Sequence, residues 1–103
     1  MRNGWSLYHY EGQWHRHEFQ EASLSDSKLA IEIMTEDGES VTVTASSRDG
    51  VRYQGDYRYR EGSYSNGEVL FERYKGPAGD VLVGEWREAG GPKGDWIFKI
   101  HAG

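Results

Sequence analysis

The chain has 103 residues, no cysteine and a formal charge of −5 at neutral pH. That leaves room for one hydrophobic core, excludes a disulfide framework, and withholds the counterion release that drives binding to duplex nucleic acid. Apolar residues make up 36% of the chain while aromatics reach 14%, a balance that favours strands and lets Trp and Tyr supply the buried area that aliphatics do not.

The acidity belongs to residues 1–50, with four Lys or Arg against nine Asp or Glu; residues 51–103 carry eight of each. The opening residues, Met1 to Tyr10, lack the unbroken apolar stretch of a signal peptide, and no later run has the length of a membrane span. The expectation is one soluble, cytoplasmic domain over residues 1–103. Between Trp5 and Phe19 the pattern allows an early strand or a broken strand pair, and Glu21 to Lys28 is the one helix-like exception, short and polar. Lys28 to Thr35 places Leu29, Ile31 and Ile33 on one face; Glu36-Asp37-Gly38-Glu39 turns the chain; Val41, Val43 and Ala45 then alternate with Thr42 and Thr44. Period-two alternation of this kind is the mark of a half-buried strand, and Asp-Gly supplies the positive φ that tight hairpins need.

After Arg48-Asp49-Gly50, every odd position from Val51 to Tyr59 is apolar, aromatic or Gly. Strands Glu68 to Lys75, Asp80 to Glu88 and Asp95 to His101 follow, separated by Gly-rich turns, with Trp96, Phe98 and Ile100 facing one way. About seven or eight short strands joined by sequential turns predict an all-β fold, a small antiparallel up-and-down barrel or a strongly coiled sheet. Four local patterns place Gly two residues before an aromatic: Tyr10-Glu11-Gly12-Gln13-Trp14, Tyr53-Gln54-Gly55-Asp56-Tyr57, Leu82-Val83-Gly84-Glu85-Trp86 and Lys93-Gly94-Asp95-Trp96. A glycine inside a strand lets a sheet bend sharply or lets an aromatic cover the backbone, so each pattern is expected to mark a corner within a strand. Their unequal spacing argues against a solenoid or propeller.

At Gly84-Glu85-Trp86 and Gly94-Asp95-Trp96, preceded by Tyr53-Gln54-Gly55-Asp56-Tyr57, the chain resembles the small streptavidin-like and lipocalin-like barrels of the calycin group, over roughly Val51 to Ile100. The resemblance implies a barrel that takes a small, partly apolar ligand in its mouth. It does not imply biotin, because no ordered set of Asn, Ser, Tyr and Asp matches the residues that would contact it.

If alternation holds through the later strands, Tyr53, Tyr57, Tyr59, Trp86, Trp96 and Phe98 share one interior, as core filling or as the flat walls of a pocket. The segment Val69 to Tyr74 forces a charge inward, Arg73 if Val69 and Phe71 point in or Glu72 if Leu70 and Tyr74 do, and such a charge would meet a ligand's polar group. The candidate ligand-binding set is therefore Tyr53, Tyr57, Tyr59, Glu72, Arg73, Trp86 and Trp96. Arg58, Arg60 and Arg73, interleaved with Tyr57, Tyr59 and Tyr74, form either a solvated sheet face or a stacking surface.

His15-x-His17 with Glu21 is similar to part of the first metal-binding motif of cupins, without its flanking glycines and without a second motif downstream. Surface histidine pairs are common and a metal needs three convergent ligands, so the expectation is no metal. No Walker-type loop, nucleophile elbow or cysteine supports covalent or phosphoryl chemistry, and no cofactor is implied. The leading function is a non-catalytic small-molecule-binding barrel. The alternatives are an interaction or homodimerisation module using an aromatic and Arg-rich sheet face, and a metal-dependent enzyme built on His15, His17 and Glu21.

Overall fold

The computed structural model describes residues 2–35, 38–59, 66–88 and 90–102. Eight strands occupy most of that chain: β1 (Arg2–Tyr10), β2 (Gln13–Leu24), β3 (Lys28–Met34), β4 (Ser40–Ser46), β5 (Arg52–Tyr59), β6 (Gly67–Gly76), β7 (Gly79–Glu88) and β8 (Lys93–His101). Each is antiparallel to the next, and β8 pairs with β1, so the sheet closes into an up-and-down barrel without a free edge.

Alternation decides what faces inward. On β3 and β4, Leu29 lies opposite Ala45, Ile31 opposite Val43 and Ile33 opposite Val41, so both apolar rows fall on the same side and are buried. Phe19 and Ala22 from β2, Tyr53 and Tyr57 from β5, Val69 and Phe71 from β6, Leu82 and Trp86 from β7, and Trp96, Phe98 and Ile100 from β8 complete the core. Phe98 sits at its centre, with the ring of Phe71 edge-on at 5.2 Å and that of Trp96 at 4.9 Å. Outward positions such as Glu18, Glu32, Thr44, Arg58 and Glu85 are exposed, the reverse of the apolar exterior and polar lumen of a transmembrane barrel. No helix among the described residues is long and apolar enough to cross a membrane.

Three of the glycine patterns lie within strands, and one does not. At Gly84 a Cβ would run into the backbone carbonyl of Leu70 on the paired strand, so the sheet coils there only because the side chain is missing. In Tyr10-Glu11-Gly12-Gln13-Trp14, by contrast, Glu11 (φ 51°) and Gly12 (φ 77°) form the two-residue hairpin joining β1 to β2, and successive positive φ values are what such a turn requires. The expected corner is thus a turn, and Trp14 lies on the outside, 51% exposed.

The helix-like stretch Glu21 to Lys28 is also strand and turn. In β2, Gly4 pairs with Phe19 but Arg2 pairs with Ala22, so one extra residue forms a bulge, and Gln20 and Glu21 are both exposed. The β2–β3 turn is held by Ser25, whose Oγ accepts hydrogen bonds from the backbone N–H groups of Ser27 (3.3 Å) and Lys28 (3.1 Å).

Candidate functional site

The two ends of the barrel differ in chemistry. At the end where β6 finishes and β7 begins, Arg73 continues the inward row of Val69 and Phe71, and its side chain is only 9% exposed. Its Nε donates to Asp80 Oδ1 (3.0 Å), and its Nη1 donates to Asp26 Oδ1 (3.1 Å) and to the Tyr53 hydroxyl (3.0 Å). Tyr53 in turn donates to the carbonyl of Ser25 at 2.5 Å, while Arg2 Nη2 donates to Asp80 Oδ2 at 2.6 Å. Burial by itself would raise the pKa of Asp80, but the hydrogen bonds and charges of Arg2 and Arg73 outweigh it and hold the carboxyl below its usual range. This end is closed by a satisfied ionic network.

The opposite end is hollow. A cavity of about 370 Å³ opens where β1, β3, β5 and β7 finish. Residues two apart on a strand share a face, so β1, β5 and β7 each send a pair of side chains to the mouth: Tyr8 and Tyr10 from β1, Tyr57 and Tyr59 from β5, Trp86 and Glu88 from β7. Trp96 from β8 and His17 from β2 complete the wall, with Ile33 and Val41 as its aliphatic side.

The rings form a continuous, angular surface. Tyr57 meets Trp86 at 6.4 Å and 88°, Trp96 at 5.7 Å and 79°, and Tyr59 at 6.3 Å and 76°, all edge-to-face contacts of the kind aromatic pairs favour. Tyr8 lies flat against His15 (4.8 Å) and His17 (5.4 Å). The indole N–H groups of Trp86 and Trp96 are buried and find no acceptor among the described residues. That of Trp86 rests on Gly94, where a Cβ would lie 2.8 Å away. Burial, and after it the negative charge of Glu88, pushes the Tyr57 phenol well above its ordinary pKa, so it stays a neutral hydroxyl.

Of the seven residues expected from the sequence, Tyr57, Tyr59, Trp86 and Trp96 are brought together here. Tyr53 and Arg73 are not, because four residues of strand carry Tyr53 about 13 Å from Tyr57 and into the ionic network at the closed end. Glu72 points outward and accepts a hydrogen bond from the Tyr74 hydroxyl at 3.0 Å. The inward charge is therefore part of the plug rather than of the pocket. The charge at the mouth is Glu88, which alternation from Trp86 would have placed, as the step from Tyr8 would have placed Tyr10.

The other two arrangements come apart in three dimensions. Tyr57 and Tyr59 point inward while Arg58 points outward and lies 3.5 Å from Asp56, so no single face interleaves them; Arg60 lies outside the described residues. The β2 bulge turns Glu21 to the outer face opposite Glu32, away from inward-facing His15 and His17, and among the described residues no three metal-ligating side chains converge.

No family model and no curated protein matches the chain. Among solved structures it is similar to a redesigned β-barrel, with 14% identity, a TM-score of 0.65, and coverage of 94% of this chain and 87% of that one. At that identity the likeness is one of fold. The barrel implied by the calycin resemblance is present; membership of the streptavidin-like or lipocalin-like families does not follow from it.

Proposed function

We propose that the protein is a non-catalytic barrel that binds a compact small molecule in the mouth formed by Tyr57, Tyr59, Trp86 and Trp96. One observation carries this reading: the barrel is sealed at one end and open at the other, where it leaves a cavity of about 370 Å³ walled by aromatic rings. A cavity of that volume, walled by aromatic rings with convergent hydroxyl and carboxylate groups, resembles the usual small-molecule site.

At about 0.7 kcal/mol per atom, within the roughly 0.3–1.5 kcal/mol that small ligands reach, a ligand of about a dozen non-hydrogen atoms would bind in the micromolar range. Two tryptophans line the site, so intrinsic fluorescence reports it. A screen of small ring-containing metabolites is expected to yield compounds that change the emission saturably and compete with one another. Trp86→Phe should remove much of that response while keeping the β-sheet circular dichroism. If no compound gives a saturable change in fluorescence or in the NMR shifts of the mouth residues, the cavity is only a packing defect and the reading falls.

A further inference from the structure

We propose that the ligand is an organic cation, a quaternary or alkylated ammonium group seated among the rings of Tyr10, Tyr57, Tyr59 and Trp86 with Glu88 as its counter-charge. The inference rests on the ligand-binding reading above and specifies its chemistry.

Near-perpendicular rings are the first reason. The planes of Tyr57 and Trp86 differ by 88° and those of Tyr57 and Tyr59 by 76°, while Tyr10 tilts over Trp86 at 5.7 Å. These rings pack edge against face or at a tilt with one another, and all four also line the cavity, so it is bordered by several π systems at different tilts, to which a cation that has shed its water is attracted. Alkylated ammonium groups suit this setting because they lack the strong hydration of a primary amine and present methyl groups to the rings.

Glu88 is the second reason. It is the last residue of β7, on the same inward row as Trp86, and the turn fixes it: its backbone N–H donates to the Pro92 carbonyl (2.9 Å) and its own carbonyl accepts from Gly91 (3.1 Å). Its carboxylate is the acidic group of the lining, and no Lys or Arg among the described residues lines the cavity with it. Among those residues the ion pairs engage other carboxylates: Arg87, its neighbour, points outward toward Glu85. A cation in the cavity would meet this carboxylate as its counter-charge, whereas an anion would be repelled by it. The same negative field adds to burial in holding the Tyr57 phenol neutral, and a field that opposes a phenolate favours a cation. The net charge of −5 adds a long-range attraction of the same sign.

Three soluble probes of nearly one shape decide the matter on the intact protein: benzyltrimethylammonium, the neutral alcohol 2-methyl-1-phenylpropan-2-ol, and the benzylsulfonate anion. Calorimetry and tryptophan fluorescence should show the cation binding about tenfold or more tighter than the alcohol, the scale of a desolvated cation–π contact, and the sulfonate weakest. Glu88→Gln should narrow the preference for cation over alcohol by about fivefold, since an ion–ion attraction becomes an ion–dipole one. If the alcohol binds as tightly as the cation, or the sulfonate binds best, the cation inference is overturned while the binding reading stands. If none of the three binds saturably, the cation inference is overturned, and the wider metabolite screen alone decides the binding reading. The comparison on the unmodified protein decides the question even where Glu88→Gln perturbs folding.

Discussion

The ionic plug at the closed end makes the most demanding prediction about stability, because one guanidinium serves two carboxylates in different surroundings. Asp80 is 9% exposed and accepts from both Arg73 and Arg2, whereas Asp26, on the same Arg73, is 78% exposed. Asp80→Asn keeps the shape, replaces one ion–ion hydrogen bond by a bond from a guanidinium to a neutral amide oxygen, and sets an amide N–H against the other guanidinium. Hydrogen bonds to charged groups are worth roughly 1.5–3 kcal/mol each, but Arg73 keeps Tyr53 and Asp26 as partners. The expected loss is therefore about 2–3 kcal/mol, below the range for a fully buried pair that loses one member. Asp26→Asn should cost about 0–1 kcal/mol, as exposed ion pairs do. Urea unfolding at pH 7 measures both. The pH dependence has a definite sign, because the folded pKa of Asp80 is depressed. Its contribution is complete above the unfolded carboxyl pKa of about 3.9 and is lost as pH falls through the folded value. The gap between the unmodified protein and Asp80→Asn should therefore hold steady from about pH 7 to 5 and close in stronger acid. Equal losses for the two variants at pH 7, or a gap unchanged in strong acid, would refute the assignment of the plug as a buried, cooperative contact.

Gly84→Ala should destabilise by about 1–3 kcal/mol, the cost of overpacking, because its Cβ meets the Leu70 carbonyl. Gly76→Ala should stay within about 0.5 kcal/mol, since the nearest atom to a Cβ there is the Gly79 carbonyl oxygen at 3.4 Å. Thermal unfolding of the pair tests this, and equal shifts would show that coiling at Gly84 does not depend on its bare backbone. Chelation should leave the melting temperature unchanged, because His15 and His17 face inward against Tyr8 while Glu21 faces outward and a bound metal would add stability by mass action. A fall on adding chelator that disappears in a His15→Ala/His17→Ala double mutant would reverse that conclusion.

Most of the barrel was legible because a strand's side-chain period is two whatever its surroundings. Leu29, Ile31 and Ile33, and Trp96, Phe98 and Ile100, could be assigned to one face by counting. Counting failed at the β2 bulge, where one inserted residue puts both Gln20 and Glu21 outside and breaks the apparent His15, His17 and Glu21 site. It also failed at Gly12: a glycine before an aromatic reads alike in a strand and in a hairpin, and the positive φ of Glu11 separates the two.

By itself, then, the amino-acid sequence determined the all-β class, the inward rows, and the presence of an inward charge on β6, because each follows from local periodicity. Which end of a strand a residue occupies, and what meets it there, depends on register across eight strands. Tyr53 and Tyr57 share a face and a residue type, yet one hydrogen-bonds within the ionic plug and the other walls the cavity. Closure of β8 onto β1 set Tyr8 beside Trp96, and the length of β7 carried Glu88 to the rim. The division into a sealed end and a hollow one is a property of the closed sheet, since space is left only where the side chains of all eight strands, taken together, fail to fill it.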